Sequence, residues 1–446
     1  MRSPLRHRLR PILGLAAGAL VLAACSPGEV VSGSQSAAAP ASSVAPSSVD
    51  PKSFAGQTLT YVYFTDGPDE KATRTAIAAF ESDTGAKVNL QIVPFADLEK
   101  SLQARLSGGD SPDVARVADW HPYDDQLVAL DPYVGSAFAG EFIEGSAAAS
   151  KNAAGAMVAV PSDLTMNGPL VNTDAFTKAG VALPTADKPW TWETMVADAK
   201  KVQAANKMES AIAIDKSGHR LSTVLSQFGT RMIGPDGKQA LDTAKTEKAL
   251  GLLSGLMQDG TVQKDFWLES GSRYKGANDM FLAGAVPVYI SGNWQVAQFN
   301  SSAKFGWAAV PNPCEETCGG FPGGKYMVAF QGGKNPALAA HFLQFMNSKE
   351  QQAQIDPVAG WLPTRRDLVE SGVTYPERGD DMNAFLADVA KTPTEDFATV
   401  SSPAFSASAT SLVEQMSALA AGEVDVPTAV AALQKEITGN VESAGK

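Results

Sequence analysis

Cysteine and histidine are scarce, at three Cys and four His in 446 residues. The histidines, His7, His121, His219 and His341, are dispersed, and none adds to the cysteines at the spacing of a zinc site. There is no His-Glu-x-x-His, no Gly-x-Ser-x-Gly and no Cys/His pair in a recognisable setting, so metalloprotease and hydrolase templates find no support. None of the eight tyrosines adjoins another, as a ferric-ion site would want. No repeat of fixed period appears, which argues against a solenoid or propeller. Basic charge is also short, with 36 Lys and Arg against 48 Asp and Glu for a net charge of −12. A surface this acidic disfavours nucleic acid as the partner. One near miss is a phosphate loop: Gly319, then four residues, then Gly324-Lys325. It fails because Tyr326 replaces the Ser/Thr that would hold magnesium, and because a strand-like run follows where a helix must open. Glycosidase carboxylate pairs stay open as an alternative, since so many acids supply chance pairs. An enzyme is not expected, nor any cofactor or metal.

What is present begins with Arg2, Arg6, Arg8 and Arg10, followed by an apolar run over 12–24. The run falls short of the roughly 20 residues of a membrane span, and it has the form of a secretory signal over 1–24. Leu22-Ala23-Ala24-Cys25 reads as a lipobox. It resembles the bacterial lipoprotein signal, which implies diacylglyceryl and acyl (palmitate-type) modification at Cys25 and a lipid-anchored, extracytoplasmic location at the cell membrane. Losing four arginines and no acid would take the charge from −12 to about −16. The Ser-, Ala- and Pro-rich stretch 25–53 has no helical or strand period and reads as a tether. In an exported protein Cys314 and Cys318, only four residues apart, suggest a small disulfide pinning a surface loop.

From residue 54 the pattern is strand (59–64), helix with Ala72, Ile77 and Phe80 near one face, strand (87–93), helix (97–106) and strand (113–117). That order predicts a parallel α/β sheet with crossover helices. Ligands of such sheets bind beyond the carboxyl ends of the strands, which singles out Thr65, Asp66, Asp119 and Trp120. A second α/β stretch follows, with a strand at 157–160 and helices at 192–205 (N-cap Thr191), 245–258 and 276–283. Further strands are expected at 286–290 and 326–330 and helices at 336–347 and 348–355; the last ninety residues are mostly helical.

Five segments then converge on one family. They are Ser107-Gly108-Gly109-Asp110-Ser111-Pro112-Asp113-Val114; Pro189-Trp190-Thr191-Trp192-Glu193-Thr194; Phe281-Leu282-Ala283-Gly284-Ala285-Val286-Pro287-Val288 running into Gly292-Asn293-Trp294; Lys334-Asn335-Pro336-Ala337-Leu338-Ala339-Ala340 leading into Phe342-Leu343; and Gly360-Trp361-Leu362-Pro363-Thr364-Arg365. In this order and behind a lipobox, the chain resembles the extracellular solute-binding protein family 1, with its maltodextrin-, multiple-sugar- and glycerol-phosphate-type members. The resemblance implies a two-lobed, type II periplasmic-binding-protein-like α/β fold. Its discontinuous lobes would be 54–133 plus 287–333 and 134–286 plus 334–446, joined by hinge strands near 131–135, 286–290 and 332–336. It implies a monomer that captures a sugar (di- or oligosaccharide, or amino sugar) between the lobes and hands it to the membrane permease of an ABC importer. The alternative within the family is a glycerophosphodiester or glycerol-phosphate, for which Lys325, Arg231 or Arg273 would supply an anion clamp. A purely structural surface lipoprotein is a third reading.

Family members stack aromatic rings on pyranose faces and ring the hydroxyls with Asp, Asn and Glu, since buried hydroxyls need partners. On this chain the resemblance implies Trp294 as the stacking platform, with Trp361 and Trp120 near it. Asp66 and Asp163 would accept hydroxyl bonds, with Met166 and Asn167 alongside. Gly324 would offer backbone amides and Tyr326 a ring at the hinge side.

Overall fold

The β-rich run at 59–64 forms β1 (Thr58–Tyr63), and the helical pattern after it folds as Glu70–Thr84, which buries Ala76, Ile77 and Phe80. Gly85, with φ 73°, ends that helix in the left-handed conformation that glycine adopts without strain. β2 (Lys87–Ile92), the helix Phe95–Ser107 and β3 (Val114–Val117) follow as expected, and both strands pair with β1 in parallel. This computed structural model describes residues 49–445 except 66, 67 and 270. Cys25 and Asp66 therefore lie outside the described residues.

The chain then departs from its sequence reading. The short strand expected at 157–160 is the start of a 14-residue strand, β4 (Ala159–Asn172). β5 (Ile212–Ile214), β6 (Val288–Gly292), β7 (Trp307–Ala309) and β8 (Pro322–Ala329) complete a sheet of order β2-β1-β3-β8-β4-β6-β5, with β7 also paired to β4. β8 accompanies β4 antiparallel from Ala159 to Met166, and β6 takes over from Asn167 to Val171. β5 runs parallel to β6. One strand thus passes from the β1–β3 side of the sheet to the β5–β6 side.

β1 is buried on both faces. Leu59, Tyr61 and Tyr63 enter one core cluster, while Val62 and Phe64 enter another, as the twofold alternation of a strand requires. The third and largest cluster surrounds β4 to β7 and the C-terminal helices Phe405–Ala421 and Val426–Ala444. The lobe boundaries read from sequence put 334–446 on the second side. Instead, Leu338, Phe342, Leu343, Ile355 and Trp361, on and just beyond the helices Pro336–Met346 and Lys349–Ala359, pack into the first cluster. Val288, Tyr289 and Trp307 of β6 and β7, expected on the first side, pack into the third. Strand pairing decides this, because β6 is bonded to β4 and β5. The expected hinge strand at 131–135 is a helical turn, Asp131–Val134, and 332–336 is a turn entering a helix. The crossing falls to β4 and to Leu362, which exchanges backbone bonds with Leu164.

Cys314 and Cys318 are joined, with Cα atoms 4.3 Å apart. Their loop caps a helix: the Glu315 carboxylate accepts from the backbone N–H of Trp192 at 2.8 Å, at the start of Trp192–Asn206, while Thr191 caps the same end. Thr317 Oγ1 donates to the Ser226 carbonyl at 2.6 Å, and Lys245 meets Glu316 at 2.5 Å. Replacing both cysteines by serine frees the loop in the unfolded chain and should cost about 2 kcal/mol, read as a lower urea midpoint at unchanged slope.

Candidate functional site

Within the otherwise buried β4, Thr165 alone is partly exposed, and opposite it the run Gly323 to Tyr326 of β8 is also partly exposed. Here the two strands approach so closely that a Cβ on Gly323 would lie 2.6 Å from Thr165 Oγ1, and one on Gly324 2.6 Å from the Asp163 carbonyl oxygen. These glycines are required by contact. Beside them, the parallel strands β5 and β6 end together, and Asp215 and Trp294 follow their carboxyl ends.

Trp294 is half-buried at the start of the helix Gln295–Ser302, its ring lying where a side chain on Gly292 would sit. The Arg220 guanidinium stacks on it, 4.3 Å from the ring centroid. Arg220 Nη1 donates to Asn167 Oδ1 at 2.6 Å, and Nε to Asp215 Oδ2 at 3.3 Å. Asp215 in turn accepts from the Tyr289 and Ser291 hydroxyls, each at 2.7 Å. Asn167 Nδ2 donates to the His219 carbonyl at 3.0 Å and to Thr223 Oγ1 at 2.9 Å, so its amide orientation is settled by its partners. Burial pulls the Arg220 guanidinium below its ordinary range against the attraction of Asp215. Burial, with Arg220 and Lys325 near, pushes His219 down to about 3, so it is neutral at physiological pH. The result is a planar, nearly charge-balanced platform with donors and acceptors in fixed positions.

Asp163 belongs to a different arrangement. Its Oδ1 accepts from Arg116 at 2.8 Å and 3.2 Å, and both side chains are fully buried. Arg116 also donates to the Phe64 carbonyl and stacks on Phe64 and Trp361, 4.5 Å and 4.2 Å from their centroids. Asp163 and Trp361, read from sequence as ligand contacts, are thus brought together inside the protein around an arginine. Trp120 is buried as well; its indole donates to the Ala149 carbonyl at 3.0 Å and its ring stacks on His121. Asp119 is exposed and accepts from His121, and Thr65 is exposed. Met166 is wholly buried, its N–H bonded to Asn293 Oδ1 at 2.9 Å. Tyr326 and Gly324 stand on the partly exposed floor, burial pushing the Tyr326 hydroxyl up to about 12. Of the alternative clamp, Arg231 pairs with Asp396 and Arg273 with Glu209, while Lys325 stands on the partly exposed run of β8 near His219.

Arg116, Asp215 and Arg220 were not among the sequence candidates. Two of them left a signal: Asp215 directly follows an apolar strand, and Arg116 interrupts Val114, Ala115 and Val117, where a charge must find a partner.

The sequence model for bacterial extracellular solute-binding proteins matches residues 65–353. Proteins of Brucella abortus (strain 2308) and Brucella suis biovar 1 (strain 1330) are 27% identical to this chain over 323 residues, which cover 69% of it and 76% of each of them. Among solved structures, the fold is similar to the cyclic alpha-maltosyl-1,6-maltose binding protein from Arthrobacter globiformis, with a TM-score of 0.73 at 18% identity over 86% of this chain and 99% of that one. It is also similar to the GacH receptor of Streptomyces glaucescens, solved unliganded and with acarbose (TM-score 0.69, 19% identity, 86% and 98%). A third is an ABC substrate-binding protein from Listeria monocytogenes in complex with cycloalternan (TM-score 0.68, 20% identity, 86% and 98%). At such identities the shared property is the fold.

Proposed function

The chain belongs to the bacterial extracellular solute-binding protein family, and from that premise we propose that it captures a sugar for an ABC importer while tethered to the membrane by a lipid on Cys25. The observation that carries the sugar reading is the half-buried Trp294 ring, set at the carboxyl ends of β5 and β6 and bordered by Arg220, Asp215 and Asn167. A pyranose presents an apolar C–H face to such a ring, and its hydroxyls meet the partly exposed Arg220 guanidinium and Asp215 carboxylate, with Arg220 held in place by the buried Asn167 amide. Holding the polar groups beforehand lowers the ordering cost of binding.

In this reading the two sides of β4 act as lobes, with the ligand contacting both. The closed form is then selected because it alone makes both sets of contacts. Membership in the family supports delivery of the ligand to a membrane permease. A glycerophosphodiester is the less favoured ligand, because Arg231 and Arg273 are each engaged by a carboxylate, which leaves Lys325 as the one clamp residue of the three on the floor.

A thermal-shift screen against mono-, di- and amino sugars, cyclic maltodextrins, glycerophosphodiesters and phosphate tests this. A ligand at a hundred times its Kd should add about 2.7 kcal/mol and raise Tm by a few degrees. A response to sugars supports the reading; a response confined to phosphodiesters replaces it with the alternative, and silence throughout favours a structural lipoprotein.

A further inference from the structure

Among residues of β1, β3, β4 and the helix Lys349–Ala359 lies a cavity of about 20 Å³, whose lining does not include Trp294. Its lining includes Tyr61 and Tyr63 of β1, Arg116 of β3, Ser162 of β4 and Asp356 of the helix Lys349–Ala359. Asp356 is 1% exposed, its Oδ2 is sealed from solvent, and no side-chain or backbone group among the described residues bonds to its carboxyl. The Tyr61 hydroxyl, 1% exposed as a residue, also has no hydrogen-bond partner there. In the same cluster Asp163 Oδ2 is buried and unpartnered, the Arg116 bonds both going to Oδ1. Native interiors leave very few polar atoms in this condition, and the usual partner is ordered water.

The volume and the charges select the occupant. About one water-sized probe fits in 10–15 Å³ or more, so this space holds one water and nothing larger. A cation would face Arg116, and an anion would face the Asp356 carboxyl. We propose that this cavity binds a single internal water, held by the Asp356 carboxyl and the Tyr61 hydroxyl with Arg116 beside it, and that Asp356 carries a proton. The protonated carboxyl and the tyrosine hydroxyl each donate to the water oxygen, which leaves its two hydrogens for acceptors in the lining, which includes Ser162.

The ionisable groups around Asp356 are Tyr61 and Tyr63 on β1, Asp69 bonded to Tyr63, Arg116 on β3, Asp163 on β4 and Tyr375, which feels Asp356. Burial, reinforced by Asp163 and opposed by Arg116, holds the Asp356 carboxyl well above the usual carboxylate range. A folded-state value above the unfolded one gives stability that is complete at low pH and is lost as pH rises toward the folded value.

Two measurements on the intact protein test the site. A high-resolution crystal structure should show one ordered water within bonding reach of Asp356 and Tyr61; absence of density there, or a direct bond between the two side chains, overturns the proposal. In Asp356→Asn, which stays neutral, the unfolding constant relative to wild type should fall as pH rises above the ordinary carboxylate range, by up to about tenfold per pH unit until the wild-type carboxyl ionises. A ratio flat with pH means Asp356 does not hold the proton. Should Asp356→Asn fail to fold, Tyr61→Phe keeps the carboxyl and removes one donor. Its crystal structure should then show the water weakened or gone, and a water unchanged by the loss overturns the assignment to Tyr61.

Discussion

Trp294→Ala should weaken sugar binding by about 30- to 1,000-fold while leaving the apo protein folded. Truncating an aromatic anchor at the centre of a binding site removes about 2–4 kcal/mol, and every 1.4 kcal/mol is tenfold in Kd. Here the loss has two parts. The ring surface offered to the ligand disappears, and Arg220 loses the plane on which its guanidinium rests, 4.3 Å away. Arg220 keeps its bonds to Asn167 and Asp215, so the wall remains charge-balanced, and a half-buried ring contributes less to folding than a core one. Titration calorimetry with the best sugar from the screen reads the effect, and a Tm of the unliganded variant close to wild type excludes unfolding as its cause. An unchanged Kd would move the site away from the ends of β5 and β6.

The second large effect concerns stability. Arg116→Met leaves the fully buried Asp163 carboxylate without its cation, and removing one partner of a buried ion pair costs about 3–5 kcal/mol. The loss also frees the Phe64 carbonyl and two ring contacts, toward Phe64 and Trp361. Chemical denaturation should show it as a large drop in midpoint. The combined change Arg116→Met with Asp163→Leu should recover most of the loss, because the unpaired charge is then gone as well. If Arg116→Met alone proves harmless, the pair is not sealed from water as the structure has it.

These two predictions divide the sequence candidates. Trp294, Gly324 and Tyr326 lie on or beside the partly exposed floor, whereas Asp163, Asn167, Trp361, Met166 and Trp120 are interior, Asn167 reaching the floor only through its bond to Arg220. The strand-end rule, which singled out Thr65, Asp66, Asp119 and Trp120, could not tell a ring facing solvent from one that packs inside the protein. A motif such as Gly360-Trp361-Leu362-Pro363 is equally compatible with both, since burial is a property of what packs above it. The segment 334–446 packs differently from its expectation for a related reason. The helix Pro336–Met346 is apolar on much of its surface and so has the same pattern whichever core receives it; its place was decided by its contact with β8 and the first cluster.

What the sequence determined by itself is local. The apolar periods gave β1, Glu70–Thr84, β2 and β3 within a few residues, and Thr191, Asn335 and Ser348 cap their helices by accepting the backbone N–H three residues on. Those features depend on neighbours within a turn or two, so their physics is complete within a short window. Only the tertiary structure decided that Arg116 meets Asp163 across 47 residues and that Arg220 meets Asn167 across 53. Each meeting depends on β4 running 14 residues through the sheet and exchanging β8 for β6 midway. A charge in a strand demands a partner, but its own neighbourhood does not say which; long-range pairing of the backbone must first bring the partner within hydrogen-bond reach.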